Sequence, residues 1–221
     1  MLKENHKVAI YLEGHFSTDY GKMGIGVLRY LSNQIVAVID SKNNGKNTNE
    51  FNSIERSVPI VSTLDAAVLN GAEVLILGIA PSGGKIPEAW FKVIESAISK
   101  NLSIINGLHD TLLSKYKNSL RNNQWIWDVR VPQFTPEIAS GKAAKLKNKR
   151  ILCVGTDMAV GKMTTSLEMH KWAIEKKINS SFIATGQIGI TITGEGIPLD
   201  AYKVDHACGA VEHMILTNQN S

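Results

Sequence analysis

The chain has 221 residues, 43% of them apolar and 20% charged, which is ordinary for a globular protein with a buried core. This composition excludes extensive disorder. The formal net charge is +4. Lysines scattered over surface helices give such a total as readily as a nucleic-acid surface does, so we predict no nucleic-acid partner.

The N-terminal stretch MLKENHK is polar and has no apolar core behind it, which argues against a secretory or transit signal. No apolar run reaches the ~18 residues that a membrane span requires. Cys153 and Cys208 give neither a disulfide framework nor a metal-ligand pattern. We therefore expect a cytoplasmic protein that acts on a small-molecule substrate, without a membrane partner or a metal.

The first half of the chain alternates apolar runs with helical patterns. We predict strands at 7–12, 35–40, 73–80 and 102–108, and helices near 24–32, 63–70 and 87–100. Continuous apolar strands between amphipathic helices are typical of a parallel sheet that is covered on both faces. The fold class predicted for this half is a Rossmann-like α/β domain.

The stretch 111–150 differs in character from the first half. A polar helical pattern at 111–123 precedes a suggested strand within 124–134, and 140–150 is the basic run SGKAAKLKNKR. We place the domain boundary in this basic run, with domains at 1–145 and 146–221. The run is interpreted as a solvated linker, with a basic rim for a ligand phosphate as the alternative.

The second half begins with a predicted strand and continues with a helix, a further strand, a glycine-rich segment and a last helical pattern. These elements are placed at 151–156, 161–177, 180–185, 186–196 and 200–216. Two strands are too few for an independent α/β sheet. This half is therefore expected to pack on the first, to form a homo-oligomer, or to be the front part of a longer domain.

The sequence GTDMAVGKMTT at 155–165 follows a predicted strand and opens a predicted helix. Backbone N–H groups and the dipole at a helix N-terminus attract phosphate, and glycine lets the backbone approach closely. Lys162 adds a positive charge. The pattern is typical of a P-loop. The predicted phosphate-binding residues are Gly155, Thr156, Val160, Gly161, Lys162, Met163, Thr164 and Thr165.

This loop departs from the common P-loop, which has four residues between its glycines and a Ser or Thr after the lysine. Five residues separate Gly155 from Gly161, and Met163 follows Lys162. The missing hydroxyl is the one that normally coordinates Mg²⁺ beside a nucleoside triphosphate, and Thr164 offers a hydroxyl one residue later. The sequence predicts phosphate binding without requiring triphosphate hydrolysis.

Two further segments supply candidate substrate-binding residues. Thr185, Gly186 and Gln187 follow the end of a predicted strand, where α/β proteins place ligands, although an ordinary turn is the alternative. Lys85, in the loop APSGGKIPEAW, is available for a carboxylate or a phosphate. His109 is a weaker candidate, because a lone histidine is more often structural.

The loop resembles that of dethiobiotin synthetase, in which GTD precedes VGK. A closer likeness extends over most of the chain, through VLILGIAPSGGKIPEAW, INGLHDTL, VGTDMAVGKMTTSLEMHKW and FIATGQIGITITGEGIPLDAYKVDHACGAVE. By these motifs the chain is similar to the D-glutamate N-acetyltransferase-like family, described as a domain of unknown function with Rossmann-like N-terminal and P-loop C-terminal domains. The sequence departs from that family at Met158, Ile188 and His206.

The resemblance implies transfer of an acetyl group from acetyl-CoA to the amine of an acidic amino acid such as D-glutamate. Coenzyme A carries a diphosphate, which a P-loop without the magnesium hydroxyl could hold as a static anchor. One alternative is an ATP- or GTP-dependent ligase or kinase that uses Mg²⁺. Since family members continue beyond the point where this sequence ends, the P-loop domain is expected to be incomplete, and an inactive binding fragment is the other alternative.

Amine acetylation requires a base that takes a proton from the amine. The candidates are Asp157, Glu195, Asp200, Asp205 and His206. Asp157 lies inside the loop and is the predicted catalytic base, together with Gln187 as a second catalytic residue. The alternative for Asp157 is a hydrogen bond to the N–H groups of its own loop. Glu212 is expected to be solvated.

Overall fold

The computed structural model describes residues 2–51, 54–157 and 160–219. The chain divides into two compact units, Met1–Val131 and Pro132–Ser221. The sequence places the boundary later, between 145 and 146. Contacts within the second unit, given below, account for the difference.

The described residues of the first unit form one parallel sheet and four α-helices. Its strands are β1 (Val8–Tyr11), β2 (Ile35–Ile39), β3 (Ile60–Val61), β4 (Val74–Leu77), β5 (Ser103–Asn106) and β6 (Ile126–Asp128). Its helices are α1 (Lys22–Tyr30), α2 (Leu64–Leu69), α3 (Phe91–Ser99) and α4 (Leu112–Tyr116). The six strands lie in the order β3-β2-β1-β4-β5-β6. This order is the Rossmann order, so the predicted fold class is confirmed.

The core of the first unit is formed by strands whose successive side chains are all buried. Every residue of β1, β2 and β4 is buried, which requires cover on both faces of the sheet. The apolar runs in the sequence therefore predicted these strands correctly. The sequence did not predict β3, because two residues are too few to give a recognisable pattern.

The carboxyl end of β4 lies against helix α1. The Gly24 amide donates a 2.7 Å hydrogen bond to the Gly78 carbonyl, and a Cβ on Gly78 would lie 2.9 Å from the Gly24 Cα. Only residues without a side chain permit this approach. The close contact fixes α1 beside the point where the strand order reverses between β1 and β4.

The second unit contains α5 (Lys162–Glu175), α6 (Gln187–Thr193) and α7 (Val204–Thr217). The predicted strands at 151–156 and 180–185 were wrong, since none of the described residues of this unit lies in a strand. Ile151, Leu152 and Val154 are 74%, 83% and 78% exposed. An apolar run becomes a strand only where a neighbouring strand supplies hydrogen bonds, and these segments do not pair with each other.

A small core holds the second unit together. Ile197, Ala210 and Met214 are buried, and partly buried apolar residues pack against them. Helix α7 approaches the chain at residues 137–139 so closely that a Cβ on Gly209 would overlap the backbone there. The stretch before the P-loop thus belongs to this unit.

Glu212 on α7 fixes that stretch through its carboxylate, so the prediction that it is solvated was wrong. It is 9% exposed and accepts hydrogen bonds from the Ser140 amide and hydroxyl and from the Ala143 amide, the last at 3.0 Å. These amides hold the pKa of the Glu212 carboxyl below its usual value. Residues 140–143 are therefore attached to α7, which explains why the unit boundary precedes them.

Candidate phosphate-binding site

The helix that follows the glycine-rich loop begins at Lys162 in the position that a P-loop requires. Gly161 precedes it with φ 98°, in the left-handed region that favours glycine. The Thr165 amide donates to the Gly161 carbonyl at 2.9 Å and so starts the helical hydrogen bonding. Gly161 thus turns the loop directly into the helix.

The lysine side chain closes the loop. Its Nζ donates a hydrogen bond to the backbone carbonyl of Asp157. The stem passes over Gly155, where a Cβ would lie 3.1 Å from the Lys162 Cγ and 2.7 Å from the Val160 Cγ2. Gly155 and Val160 therefore lie close to the Lys162 stem, and a side chain at 155 would displace that stem.

The first turn of α5 offers amides to an anion. Among the described residues no side chain caps this helix, and its first turn contains no acidic residue. Amides in the first turn of a helix have no intrahelical acceptor. With the Lys162 ammonium beside them, they form a positively polarised end of the helix that suits a phosphate.

The hydroxyl groups near this end differ in availability. Thr164 is half-buried and Thr165 is exposed, whereas the Ser166 hydroxyl is occupied by a 3.0 Å hydrogen bond to the Lys162 carbonyl. Met163 brings no hydroxyl to the position after the lysine. In the part of the chain that the structure describes, no group of three or more His, Cys, Asp or Glu side chains could hold a metal ion.

Helix α5 is joined to the segment that carries the second group of predicted site residues. His170 on α5 contacts the Ser180 hydroxyl at 3.1 Å, and its ring lies 6.0 Å from that of Phe182. Burial lowers the pKa of His170. The contact places the chain leading to Thr185 beside the helix of the P-loop.

Thr185, Gly186 and Gln187 lie on a tightly packed turn. Gly186 precedes α6 and its carbonyl accepts the Ile190 amide at 3.0 Å. The turn is backed by Ala184, whose carbonyl accepts the Ile197 amide at 2.8 Å. Gln187 is half-buried and Thr185 is exposed, so a rigid backbone presents both side chains.

The remaining predicted site residues are placed differently. Lys85 is exposed in the loop between β4 and α3, in the first unit, so it does not belong to the unit of the P-loop. Met158 lies outside the described residues. His206, a candidate base, contacts the Pro136 carbonyl through Nδ1 at 2.9 Å, which gives it a packing role in the second unit.

Among the described residues, no helix is long and apolar enough to cross a membrane.

Comparison with family models divides the chain in nearly the same way as its two compact units. Two models of the family described as the domain of unknown function DUF1611 match the chain. The model of its Rossmann-like domain (DUF1611_N) matches residues 41–132, and the model of its P-loop domain (DUF1611_C) matches residues 137–221.

The proteins similar to this chain include two curated relatives and a solved structure. A D-glutamate N-acetyltransferase of Tritonibacter scottomollicae is 40% identical over 161 residues, 72% of this chain and 48% of the relative. A D-glutamate N-acetyltransferase of a Pseudoalteromonas species is 41% identical over 156 residues, 69% of this chain and 46% of the relative. The chain thus matches about half the length of each relative.

The solved structure is that of a DUF1611 family protein from Anabaena variabilis ATCC 29413. It is 42% identical, with a TM-score of 0.93, over 98% of this chain and 64% of that chain. Both family models and this structural match point to the same family. The chain belongs to the DUF1611 family.

Proposed function

We propose that the chain carries an N-acetyltransferase function like the one for which its relatives are named, that it acts on the amine of an acidic amino acid such as D-glutamate, and that acetyl-CoA is its acetyl donor. In this proposal the P-loop holds the phosphates of coenzyme A. The names of the two curated relatives support the reaction class. The observation that carries the cofactor assignment is the uncapped start of α5 with Lys162 beside it and Met163 in place of a hydroxyl.

The residues of the loop fit a diphosphate that stays bound throughout. The Lys162 ammonium now donates to a neutral carbonyl, and a phosphate oxygen is a stronger acceptor because it is charged. Amides of Lys162, Met163 and Thr164 lie in the first turn and add donors. When bound, acetyl-CoA supplies an activated acetyl thioester, and the loop itself exchanges no phosphoryl group.

The residues on the turn before α6 fit the binding of the amino-acid acceptor. Thr185 and Gln187 lie on the turn that the α5 contacts hold in place, and they are proposed to orient the amine. Asp157 is proposed to take the proton that the ammonium group loses, and Gly186 lets the acceptor approach the backbone. Lys85 lies in the other unit and stays a separate candidate for a carboxylate or a phosphate.

The proposal places the protein in the cytoplasm, where coenzyme A thioesters and free amino acids occur together. Cys153 and Cys208 are both unpaired, which fits a reducing compartment. A small-molecule acceptor is the partner that the reaction requires, with no nucleic acid or membrane involved. Homo-oligomer formation would cover the exposed Ile151 and Leu152.

A phosphoryl-transfer reaction is the second candidate function. The spacing of GTD and VGK favours it, and the half-buried Thr164 places one hydroxyl in the first turn of α5. A ligase or kinase of this kind would bind ATP together with Mg²⁺. Met163 opposes it, because the usual magnesium ligand is a hydroxyl at that position.

Isothermal titration of the chain with acetyl-CoA, and separately with ATP plus Mg²⁺, tests the proposal. We expect acetyl-CoA binding that Lys162→Ala weakens by about 1.5 to 3 kcal/mol, which is more than tenfold. Lys171→Ala is the matched control, because it removes an exposed lysine from the same helix without touching the loop. Binding of ATP with Mg²⁺ alone would move the phosphoryl-transfer reaction to first place.

Turnover is measured separately as release of the coenzyme A thiol in the presence of D-glutamate. Acetyl-CoA binding without thiol release would contradict the enzymatic part of the proposal while leaving the cofactor assignment intact. Binding of neither nucleotide would contradict both parts. The titration therefore tests cofactor binding by the P-loop, and thiol release tests acetyl transfer separately.

A further inference from the structure

We infer that Asn44 is a site of spontaneous deamidation, at which the folded chain converts asparagine to aspartate and isoaspartate without an enzyme. Water is the co-reactant and ammonia is the by-product. The modified residue lies in the turn 43–46, between β2 and β3 of the first unit. The reaction needs no ligand, so it is independent of acetyl transfer.

Deamidation requires the backbone nitrogen of the next residue to reach the side-chain carbonyl carbon of the asparagine. Once base has removed its proton, this nitrogen bonds to that carbon, the bond to the side-chain nitrogen breaks, and ammonia leaves. A five-membered cyclic imide remains. Water opens the imide at the side-chain carbonyl, which gives aspartate, or at the backbone carbonyl, which gives isoaspartate. Glycine as the next residue favours the attack because it has no side chain to obstruct it.

The sequence contains three pairs of this kind. They are Asn44-Gly45, Asn70-Gly71 and Asn106-Gly107. In an unfolded chain the three pairs are chemically alike. The fold places them in different surroundings, and these surroundings select one of them.

Asn106 in β5 is protected by burial and by hydrogen bonds. Its side chain is fully buried. Its Nδ2 donates to the Asp110 carbonyl at 2.6 Å and to the Asp128 carboxylate at 2.8 Å, and its Oδ1 accepts the Leu108 amide at 3.0 Å. Both ends of the side-chain amide are held, so the carbonyl carbon cannot turn toward the Gly107 nitrogen while β5 is intact.

Asn70 at the end of α2 is exposed but restrained. Its Nδ2 donates to the Val36 carbonyl at 3.3 Å, which holds the side chain against β2. The Gly71 amide, which would have to attack, donates to the Val68 carbonyl at 2.8 Å. Two hydrogen bonds must therefore break before this pair can react.

The side chain of Asn44 lacks such a restraint. It is exposed and forms no hydrogen bond within the part of the chain that the structure describes. The preceding residue differs, because the Asn43 Nδ2 donates to the buried Asp40 carboxylate at 2.7 Å. The turn is thus anchored through Asn43, and the Asn44 side chain can rotate.

The backbone of the turn brings glycine directly after Asn44. The angles at Asn44 are φ −52° and ψ 137°, and φ at Gly45 is 87°, which match the central positions of a type II turn. The Lys46 amide donates to the Asn43 carbonyl at 3.3 Å and closes this turn. Among the described residues, none has an atom within 4 Å of a Cβ placed on Gly45, so the side of the attacking residue is open.

One hydrogen bond restrains the attacking nitrogen. The Gly45 amide donates to the Ile60 carbonyl at 3.0 Å. Ile60 belongs to β3, which has two residues and lies at the edge of the sheet. Because short edge elements open locally at a lower cost than the core, this bond can break while the rest of the sheet stays folded.

The two products have different effects on the edge of the sheet. Isoaspartate adds one carbon to the backbone before Gly45, and this displaces the two hydrogen bonds to Ile60, from the Gly45 amide and to the Lys46 carbonyl. Aspartate keeps the backbone and adds one negative charge, which lowers the formal net charge from +4 to +3. Isoaspartate at 44 therefore loosens β3, whereas aspartate changes only the charge of the turn.

Ageing of the full chain at neutral and at mildly alkaline pH, followed by peptide mass spectrometry, tests the inference. We expect Asn44 to convert at least about fivefold faster than Asn70, which is the rate factor that one ordinary hydrogen bond represents. Asn106 should stay unmodified. Conversion at Asn44 should be faster at the alkaline pH, because the attacking nitrogen must lose its proton.

Two variants and an unfolded sample serve as controls. Asn44→Ser should abolish the main acidic product in isoelectric focusing, whereas Asn70→Ser should leave that product unchanged. In concentrated urea the three pairs should convert at similar rates. If the unfolded chain kept the preference for Asn44, the local sequence and not the fold would select the site, and the structural argument would fail.

The outcome in the folded chain decides the inference. Absence of conversion at Asn44, or conversion of Asn70 or Asn106 at the same rate, would overturn it. Hydrogen exchange on the isoaspartate product tests the effect on β3. The amides of Gly45 and Ile60 should exchange faster than in the unmodified chain, and unchanged exchange at both would contradict the loosening of β3.

Discussion

The Nζ of Lys162 donates a hydrogen bond to the backbone carbonyl of Asp157, so the lysine spans its own loop. This bond holds the ammonium at the start of α5 before any ligand arrives. Ligand binding then exchanges a neutral acceptor for a charged one, which strengthens the bond. The Lys162 side chain is thus positioned in advance, and little ordering of it remains for the ligand to impose.

Gly155→Ala is expected to weaken acetyl-CoA binding at least about tenfold. The added Cβ would lie 2.7 Å from the Val160 Cγ2 and 3.1 Å from the Lys162 Cγ, so the lysine stem must move away from the loop. A misplaced ammonium loses a charged hydrogen bond, which contributes roughly 1.5 to 3 kcal/mol. Isothermal titration measures the effect, and binding unchanged from that of Lys171→Ala would contradict it.

Gly161→Ala is expected to lower the free energy of unfolding of the second unit by about 1 to 2 kcal/mol. The φ of Gly161 is 98°, a conformation that costs this much for a residue with a Cβ. Among the described residues, no atom outside its chain neighbours lies within 4 Å of that Cβ, so backbone strain is the expected cause. Urea unfolding followed by circular dichroism measures the change. Equal stability of the variant would show that the turn adapts.

The sequence predicted the first unit better than the second for a physical reason. Strands β1, β2 and β4 are buried on both faces, and that burial appears in the sequence as continuous apolar runs. The same kind of run at 151–156 led to a wrong prediction. An apolar run reports a tendency to form a strand, whereas pairing depends on a neighbour elsewhere in the chain.

Long-range partners explain the other differences between prediction and structure. Glu212 was expected to be solvated because its partner Ser140 lies 72 residues away, where no local pattern points to it. The phosphate loop was recognised because all its parts are contiguous.

Glu212→Gln is expected to remove part of the acid sensitivity of the second unit. The pKa of the Glu212 carboxyl is lowered in the folded state, chiefly by the Ser140 amide. A lowered pKa stabilises the fold above the unfolded value of about 4.5, and this stabilisation is lost as the pH falls through the folded value. Melting temperatures between pH 7 and pH 3 should fall less steeply in this variant than in the unaltered chain.

The control for this experiment is Glu175→Gln, which alters an exposed carboxylate at the end of α5. Its melting temperature should depend on pH as that of the unaltered chain does. If Glu212→Gln and Glu175→Gln had the same pH dependence, the hydrogen bonds to Ser140 and Ala143 would have no part in acid stability.

Gly78→Ala is expected to destabilise the first unit by about 1 to 3 kcal/mol. The new Cβ would lie 2.7 Å from the Ile10 Cγ2 and 2.9 Å from the Gly24 Cα, so α1 must move away from the sheet. Leu69→Ala is the control, because Leu69 is 87% exposed and its loss should change stability by no more than about 0.5 kcal/mol. Urea unfolding compares the two, and equal stabilities would contradict the close approach of α1 and β4.

Met163→Thr is expected to separate the two candidate functions of the P-loop. The change adds a hydroxyl directly after Lys162, where P-loops that bind nucleoside triphosphates carry their magnesium ligand. If the loop is a static anchor for coenzyme A, acetyl-CoA affinity should change by less than about threefold, because the first-turn amides and Lys162 are retained. Affinity for ATP with Mg²⁺ should rise, and EDTA should abolish that gain. Titrations with and without Mg²⁺ measure both effects.

Two outcomes would contradict this expectation. Loss of acetyl-CoA binding on this substitution would mean that Met163 itself contacts the cofactor. Tight Mg²⁺-dependent ATP binding by the unaltered chain would mean that Thr164 already supplies the metal ligand.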